Sequence, residues 1–238
     1  MIAIKHLSKV FDGIEKLHIP DLQIKENEII GLVGNNGAGK TTLLRLVLNL
    51  LKPTSGQAFI QGKPVHETVE WKSITGSFLD EGFLIDFLTP EAYFYFIGEA
   101  YSISQKEVDA VLIDFVSFMD DEILRKKKCI ANFSKGNRQK IGIIGAMLIR
   151  PKLLILDEPF NFLDPSSQLI MKKLLQTYNQ TYNTTILFSS HNIQYVMDIC
   201  SRVVVLDSGH ILYDERNLTE KKKLELENYF KNRENIIL

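Results

Sequence analysis

Nine residues, 34–42, have the residue types and the spacing of a phosphate-binding loop: Gly-Asn-Asn-Gly-Ala-Gly-Lys-Thr-Thr. Glycines let the backbone approach a ligand closely, so that successive amide N–H groups converge on phosphate oxygens. In this pattern Lys40 reaches the β- and γ-phosphates, and the Thr41 hydroxyl is a ligand of Mg²⁺. The residues predicted to contact a nucleotide here are Asn35, Asn36, Gly37, Ala38, Gly39, Lys40, Thr41 and Thr42.

The residues on either side of the loop predict the elements that position it. Residues 28–33 are an apolar run rich in Ile, which predicts a buried strand. Residues 43–51 are apolar at helical spacing. A strand before the glycines and a helix after them is the context that phosphate binding requires. An ordinary Gly-rich turn is the weaker interpretation, because the pattern arises by chance in roughly one chain in a hundred.

A pair of acids follows a second predicted strand. Leu153–Leu156 is a run of four apolar residues, and Asp157 and Glu158 come directly after it. An aspartate in this position holds the Mg²⁺ shell in phosphate-loop enzymes. The chain therefore contains both halves of a site for ATP and Mg²⁺.

Length and composition limit the class of protein. The chain has 238 residues, of which 45% are hydrophobic and 24% charged, as in an ordinary globular protein of one large or two small domains. The net charge of −1 gives no electrostatic preference for nucleic acid. Two cysteines without metal-type spacing indicate a reduced, cytosolic compartment. Neither a signal peptide nor a membrane-spanning segment is expected.

The remaining pattern predicts strands that alternate with helices and are interrupted by a mainly helical block. The predicted strands are residues 2–7, 17–24, 57–60, 74–79, 185–188, 202–206 and 210–213. The predicted helices start at 89–91 and at Ser134 (to about 149), and span 105–119, Pro165–Tyr182, 192–200 and 218–238. This order predicts one α/β domain with a core lobe (1–79 and 150–217), an inserted helical lobe (about 80–149) and a C-terminal helix (218–238).

Five stretches, taken in chain order, resemble the ATP-binding subunit of an ABC transporter, and they cover nearly the whole chain. They are the phosphate loop, a signature stretch at 133–140 (Phe-Ser-Lys-Gly-Asn-Arg-Gln-Lys), the acids at 157–158, Asn-Phe-Leu-Asp at 161–164 and Ser-Ser-His at 189–191. Residues 89–94 are most similar to subunits of bacterial exporters. The resemblance implies a P-loop NTPase core with an antiparallel β subdomain and the inserted helical subdomain.

The resemblance also implies roles at matching positions. Phe11 alone would be interpreted as packing at a strand end, but it matches the family's aromatic residue that stacks on adenine. Glu158 would polarise the attacking water. His191 alone would be interpreted as an ordinary histidine near a strand end, but by resemblance it holds the γ-phosphate and the water in line. Ser134 and Gly136 would cover the γ-phosphate bound to the opposite subunit.

The sequence departs from the family's pattern at a few positions. Phe133, Lys135 and Asn137 replace residues of the commonest signature, and Asn-Phe at 161–162 replaces a pair of small residues. Asp80 stands where the family has Gln or Glu, and we expect it to reach Mg²⁺ through water. The catalytic set is complete, which disfavours a subunit that binds nucleotide without turnover.

Two functional interpretations follow. In the preferred one, two copies, or this chain and a close relative, sandwich two MgATP molecules at the cytoplasmic face of the cell membrane and drive export through separate membrane-spanning subunits. The alternative is a soluble ATPase switch acting on ribosomes or DNA. Such relatives usually carry two ATP-binding halves or a long coiled coil, and neither is present in this sequence.

Residues 80–101 are the predicted contact with the membrane subunit. Four consecutive aromatic residues, 93–96, point around most of a helical turn, although a surface helix buries only one stripe. Some of them should therefore remain exposed, as in an interface. The other possibility is that the inserted lobe covers them all.

Overall fold

The computed structural model describes residues 1–216 and 218–234. The strands are β1 (Ile2–Phe11), β2 (Ile14–Ile24), β3 (Ile29–Val33), β4 (Ser55–Ile60), β5 (Lys63–Pro64), β6 (Thr75–Phe78), β7 (Leu153–Leu156), β8 (Thr185–Ser190), β9 (Arg202–Asp207) and β10 (His210–Arg216). The α-helices are α1 (Lys40–Val47), α2 (Pro90–Ala100), α3 (Gln105–Leu112), α4 (Val116–Met119), α5 (Lys135–Met147), α6 (Pro165–Tyr182), α7 (Ile193–Ile199) and α8 (Glu220–Glu234). The predicted helix at 218–238 corresponds to α8, and its last four residues lie outside the described range.

The strands form two sheets, and the predicted α/β fold is confirmed. One is an antiparallel sheet of four strands in the order β2-β1-β4-β5. The other has six strands in the order β10-β9-β3-β8-β7-β6, and every pair in it is parallel except β10 with β9. The carboxyl ends of β3, β7 and β8 therefore lie at one edge of the sheet, where ligands bind in open α/β folds.

Two apolar cores hold these layers together. One core lies where α1 and the antiparallel sheet meet residues of the parallel sheet, and it includes Ile4, Ile19 and Leu44. The other joins the inserted helices to α6 and α7 and includes the fully buried rings of Phe94 and Phe118. Complete burial of such a side chain stabilises the fold by about 1.5–3 kcal/mol.

Several predicted boundaries are confirmed and others shift. Leu153–Leu156 and Pro165–Tyr182 have the predicted bounds. The helix after the phosphate loop begins at Lys40 instead of residue 43, because the loop leads directly into its first turn. The predicted helix at 105–119 breaks into α3, a 3₁₀ turn and α4. Within this turn Ile113 is exposed and Phe115 is buried.

The first helix of the inserted block begins as predicted. The Thr89 hydroxyl accepts a hydrogen bond from the Ala92 N–H at 3.3 Å, and Pro90 occupies the first turn. Phe94 is fully buried, whereas Phe96 remains exposed. The inserted block therefore does not cover all of the aromatic residues.

Candidate functional site

The loop after β3 has the backbone geometry that its glycines predict. Gly39 ends the loop at φ 103°, in the left-handed region that favours glycine. A methyl group added at Gly34 would lie 2.3 Å from the backbone oxygen of Leu206, so only glycine fits there. The loop therefore packs tightly against β9, and its backbone N–H groups lie at the N-terminal end of α1, where anions bind.

Lys40 is buried inside this loop. Its ammonium donates hydrogen bonds to the backbone oxygens of Gly34 at 2.6 Å and Asn35 at 3.2 Å. It also lies 3.3 Å from Glu158 Oε1. Lys40 is thereby held at the loop, with Glu158 as its anionic partner.

Thr41 and Asp157 meet as a hydroxyl–carboxylate pair. The Thr41 hydroxyl donates to Asp157 Oδ2 at 2.5 Å, and the Ser189 hydroxyl donates to the other carboxylate oxygen. Burial raises the pKa of the Asp157 carboxyl, while the hydrogen bonds from Ser189 and Thr41 oppose that rise. Hydroxyl and carboxylate oxygens are the hard ligands that Mg²⁺ prefers, so this pair fits the expected ion.

Among the side chains that the structure describes (residues 1–216 and 218–230), no three His, Cys, Asp or Glu form a group that could hold an ion. A Mg²⁺ ion at the Thr41–Asp157 pair would therefore take its remaining ligands from phosphate oxygens and water, as is usual for this cation.

Glu158 and His191 form the next layer of the site. Glu158 has φ 48°, a strained conformation for a non-glycine residue, and its N–H donates to the Ser189 hydroxyl at 2.8 Å. Its Oε2 lies 2.9 Å from His191 Nδ1 and accepts from the His191 N–H at 3.2 Å. The histidine side chain is about half exposed. Glu158 thus links Lys40 to His191.

A cavity of about 370 Å³ opens in front of these groups. The predicted residues that line it are Phe11, Asn36, Gly37, Ala38, Gly39, Lys40, Thr41, Thr42 and Glu158. Phe11 is exposed, and Lys9 Nζ lies 4.9 Å from the centroid of its ring. The cavity therefore extends from an aromatic surface to the phosphate loop.

Ser134 and Gly136 lie outside this cavity. The Ser134 hydroxyl caps α5 by accepting the Asn137 N–H at 3.2 Å. A methyl group at Gly136 would lie 2.6 Å from the backbone oxygen of Phe162, so the signature stretch packs closely on the loop after the acids. Within one chain, the structure does not bring either residue to the phosphate loop.

The unusual residues of the signature stretch each have a partner. Lys135 Nζ lies 5.2 Å from the ring centroid of Phe162, which is also unusual at its position. Phe133 packs under Lys128, with 4.0 Å between Nζ and the ring centroid. The Asn137 amide donates to Glu122 at 2.9 Å. Each residue that departs from the commonest signature is therefore held by a contact with a neighbouring side chain.

Asp80 has hydrogen-bond partners of its own beside the Thr41–Asp157 pair. Its carboxylate accepts hydrogen bonds from Arg45 at 3.2 Å and from the Gly82 N–H at 2.8 Å. It lines a second cavity of about 380 Å³ together with Asp157 and Glu158. Asp80 thus borders the same acids, but it is held by Arg45.

Sequence reasoning missed two residues that position the acids. Ser189 holds both Asp157 and the backbone of Glu158, and Arg45 holds Asp80. Ser189 carried a signal, because it comes directly after the strand predicted at 185–188 and two residues before His191. Arg45 resembles any exposed helical arginine, so nothing in the sequence singled it out.

The fold and the site together define a phosphate-loop nucleotide-binding domain. The family model described as ABC transporter matches residues 17–161. An uncharacterised ABC transporter ATP-binding protein of Bacillus subtilis, YcbN, is 34% identical over 87% of this chain and 66% of its own length. The methionine import ATP-binding protein MetN of Burkholderia thailandensis is 30% identical over 92% of this chain and 66% of its own length. The chain belongs to the ABC transporter family.

Solved structures agree with this assignment. An ATP-binding subunit of an ABC transporter has 25% sequence identity and a TM-score of 0.82, with 94% of this chain and 93% of that chain covered. A dimeric bacterial ABC transporter cassette, MJ0796, has 23% identity and a TM-score of 0.77, with 91% and 98% covered. The fold is therefore that of an ABC ATPase domain. The chain spans about two thirds of the length of YcbN and MetN.

None of the helices in residues 1–216 and 218–234 has the length and the continuous apolar character needed to cross a bilayer.

Proposed function

We propose that this chain hydrolyses ATP and thereby powers a transporter, with export as the direction of transport. The observation that carries the proposal is one connected group of side chains. Thr41 meets Asp157, Lys40 meets Glu158, and Glu158 meets His191, all at the phosphate loop. A base, a cation and a metal-ligand pair in this arrangement are what phosphoryl transfer to water needs.

The contacts suggest how each residue acts. When ATP enters, its phosphates compete with Glu158 for the ammonium of Lys40, which frees the carboxylate to accept a proton from water. His191 orients that carboxylate through its ring nitrogen and its backbone N–H. Thr41 and Asp157 would hold Mg²⁺, which neutralises charge on the β- and γ-phosphates when it is bound.

The purified chain tests the hydrolysis proposal. Phosphate release from MgATP should be lost in Lys40→Ala, because the variant lacks the cation that faces the phosphates. Lys25→Ala removes the same charge from an exposed position after β2 and should behave like the wild type. Unchanged ATP affinity and turnover in Lys40→Ala would refute the assignment.

We further propose that two copies, or this chain and a relative, close over two ATP molecules. Ser134 and Gly136 lie outside the cavity of their own chain, so they remain available to cover the phosphate held by another copy. The MJ0796 cassette, whose fold this chain shares, forms a dimer, and that dimer supports the proposal. In each copy, the core lobe (1–79 and 150–217) would carry the phosphate loop and the helical lobe (about 80–149) the signature stretch.

The proposed contact with a membrane subunit is the segment 80–101. Phe83 is 50% exposed and Phe87 is 73% exposed, which leaves large apolar side chains of this segment open to a partner. A cavity of about 250 Å³ lies between the end of α1 and Tyr101, the last residue of this segment. This surface would place the chain at the cytoplasmic face of the membrane.

Crosslinking tests this contact. A cysteine at Phe83 or Phe87 should crosslink to a cytoplasmic loop of the membrane partner, whereas one at Ile113, which is 69% exposed on the same lobe, should not. If neither position crosslinks, and charged replacements there leave assembly and export intact, the docking site lies elsewhere.

Two alternatives to this function are import instead of export, and a soluble role instead of one in a transporter. The similarity of residues 89–94 to exporter subunits supports export, although MetN is named as an import protein. Vesicle uptake assays with the partner subunits separate the two directions. The soluble switch on ribosomes or DNA is not favoured, because the relatives are named as transporter components.

A further inference from the structure

Lys16 is the extra residue of a β-bulge. In the pairing of β1 with β2, Lys9 faces Leu17 but Val10 faces Glu15, so Lys16 has no partner across the two strands. Bulges redirect side chains and are frequent next to active sites. Leu17 is fully buried in the core, whereas Lys16 is exposed. The bulge therefore turns the side chain of Lys16 away from the direction that regular pairing of the two strands would give it.

The redirected residue lies on the wall of the nucleotide cavity. Lys16 lines the 370 Å³ cavity together with Phe11 and Lys40. Its backbone carbonyl borders the phosphate loop, because a methyl group added at Gly39 would lie 3.3 Å from the carbonyl oxygen. Lys16 thus stands beside the part of the cavity that would receive phosphate.

The charges on the cavity wall leave Lys16 uncompensated. The charged residues that line the cavity are Lys16, Lys40 and Glu158, and Lys40 and Glu158 form an ion pair at 3.3 Å. Glu15, next to Lys16 in sequence, pairs with His18 at 3.3 Å. Among the side chains that the structure describes, those of residues 1–216 and 218–230, no carboxylate lies within ion-pair distance of Lys16. The cavity therefore carries one positive charge that no described side chain neutralises.

We propose that Lys16 is a further nucleotide-binding residue, whose ammonium contacts the phosphate chain of ATP or ADP. The proposal rests on the proposed function, because it needs the nucleotide in this cavity. A charge-assisted contact at a partly exposed position changes the dissociation constant by about threefold to tenfold. Unlike Lys40, Lys16 would act on affinity and leave the chemical step unchanged.

Calorimetric titration with ADP tests the proposal at low and at raised salt. Lys16→Met should raise the Kd for ADP by about threefold to tenfold at low salt, and the difference should shrink as salt screens the contact. Lys16→Arg retains the charge and should bind within about twofold of the wild type. Lys25→Met is the matched control for net charge and should have no effect.

The outcomes separate this proposal from the proposed function. If the wild type binds neither ADP nor ATP, the proposed function fails. If the wild type binds and Lys16→Met binds equally well, only the role of Lys16 is overturned. A weaker affinity that Lys16→Arg does not restore, or that is independent of salt, would also overturn it, because the loss would then come from packing at the bulge.

Discussion

Replacing Glu158 by glutamine changes the charge that faces Lys40 and leaves the shape of the side chain intact. The two groups lie 3.3 Å apart, with the lysine side chain 6% exposed and the glutamate 20%. Two unit charges at this separation attract each other by about 5 kcal/mol at an effective dielectric constant of 20. Desolvation and the hydrogen bond that the amide keeps reduce the net effect to about 1 kcal/mol.

This free energy opposes nucleotide binding in the wild type, because phosphate must displace Glu158 from Lys40. Glu158→Gln should therefore bind ATP and ADP about fivefold more tightly than the wild type. Hydrolysis should fall at least about 100-fold, since an amide cannot accept the proton of the attacking water. Calorimetric titration gives the affinities and phosphate release gives the rate.

The control for this variant is Glu67→Gln, which neutralises an exposed acid that pairs with His66. It should change neither affinity nor rate. Turnover at the wild-type rate in Glu158→Gln would refute the catalytic role of the glutamate. Weaker nucleotide binding would refute the competition for Lys40.

Two further variants test neighbouring parts of the site. Asp80→Ala should lower turnover several-fold and change ATP affinity little; lost binding or normal turnover would limit Asp80 to holding Arg45. Asp164→Ala removes the cap of α6 and should cost about 1 kcal/mol at neutral pH in urea unfolding. Hydrogen bonds from Ser167 and Ser166 hold the pKa of Asp164 well below its usual range. The stability that Asp164 contributes is therefore present above the pKa of this carboxyl in the unfolded chain, near 4, and is lost as pH falls below that value. The unfolding free energies of the wild type and of Asp164→Ala should accordingly converge in acid. A constant gap would refute this linkage.

The sequence predicted those features that depend on local pattern. The glycine spacing and the flanking apolar runs located the phosphate loop, and the helix predicted at Pro165–Tyr182 has those bounds in the structure, where Asp164 caps its first turn. The family resemblance placed Asp157 and His191 at the same site. The structure brings them together through Ser189 and Glu158.

Other features depend on register and tertiary packing, which a single sequence does not specify. The bulge that exposes Lys16 appears only when β1 is paired with β2. The break between α3 and α4 is a 3₁₀ turn at Ile113–Phe115, although the apolar periodicity of 105–119 suits one helix. Arg45 contacts Asp80 across 35 residues of sequence, and no pattern connects the two.

ATP held at the phosphate loop of one copy should be covered by the signature stretch of another. Sizing chromatography of Glu158→Gln with and without MgATP tests it most directly, because this variant should bind ATP without consuming it. We expect a monomer without nucleotide, a dimer with MgATP, and no dimer when Ser134→Ala is added. A variant that stays strictly monomeric with ATP bound, or that hydrolyses ATP at the wild-type rate, would contradict it.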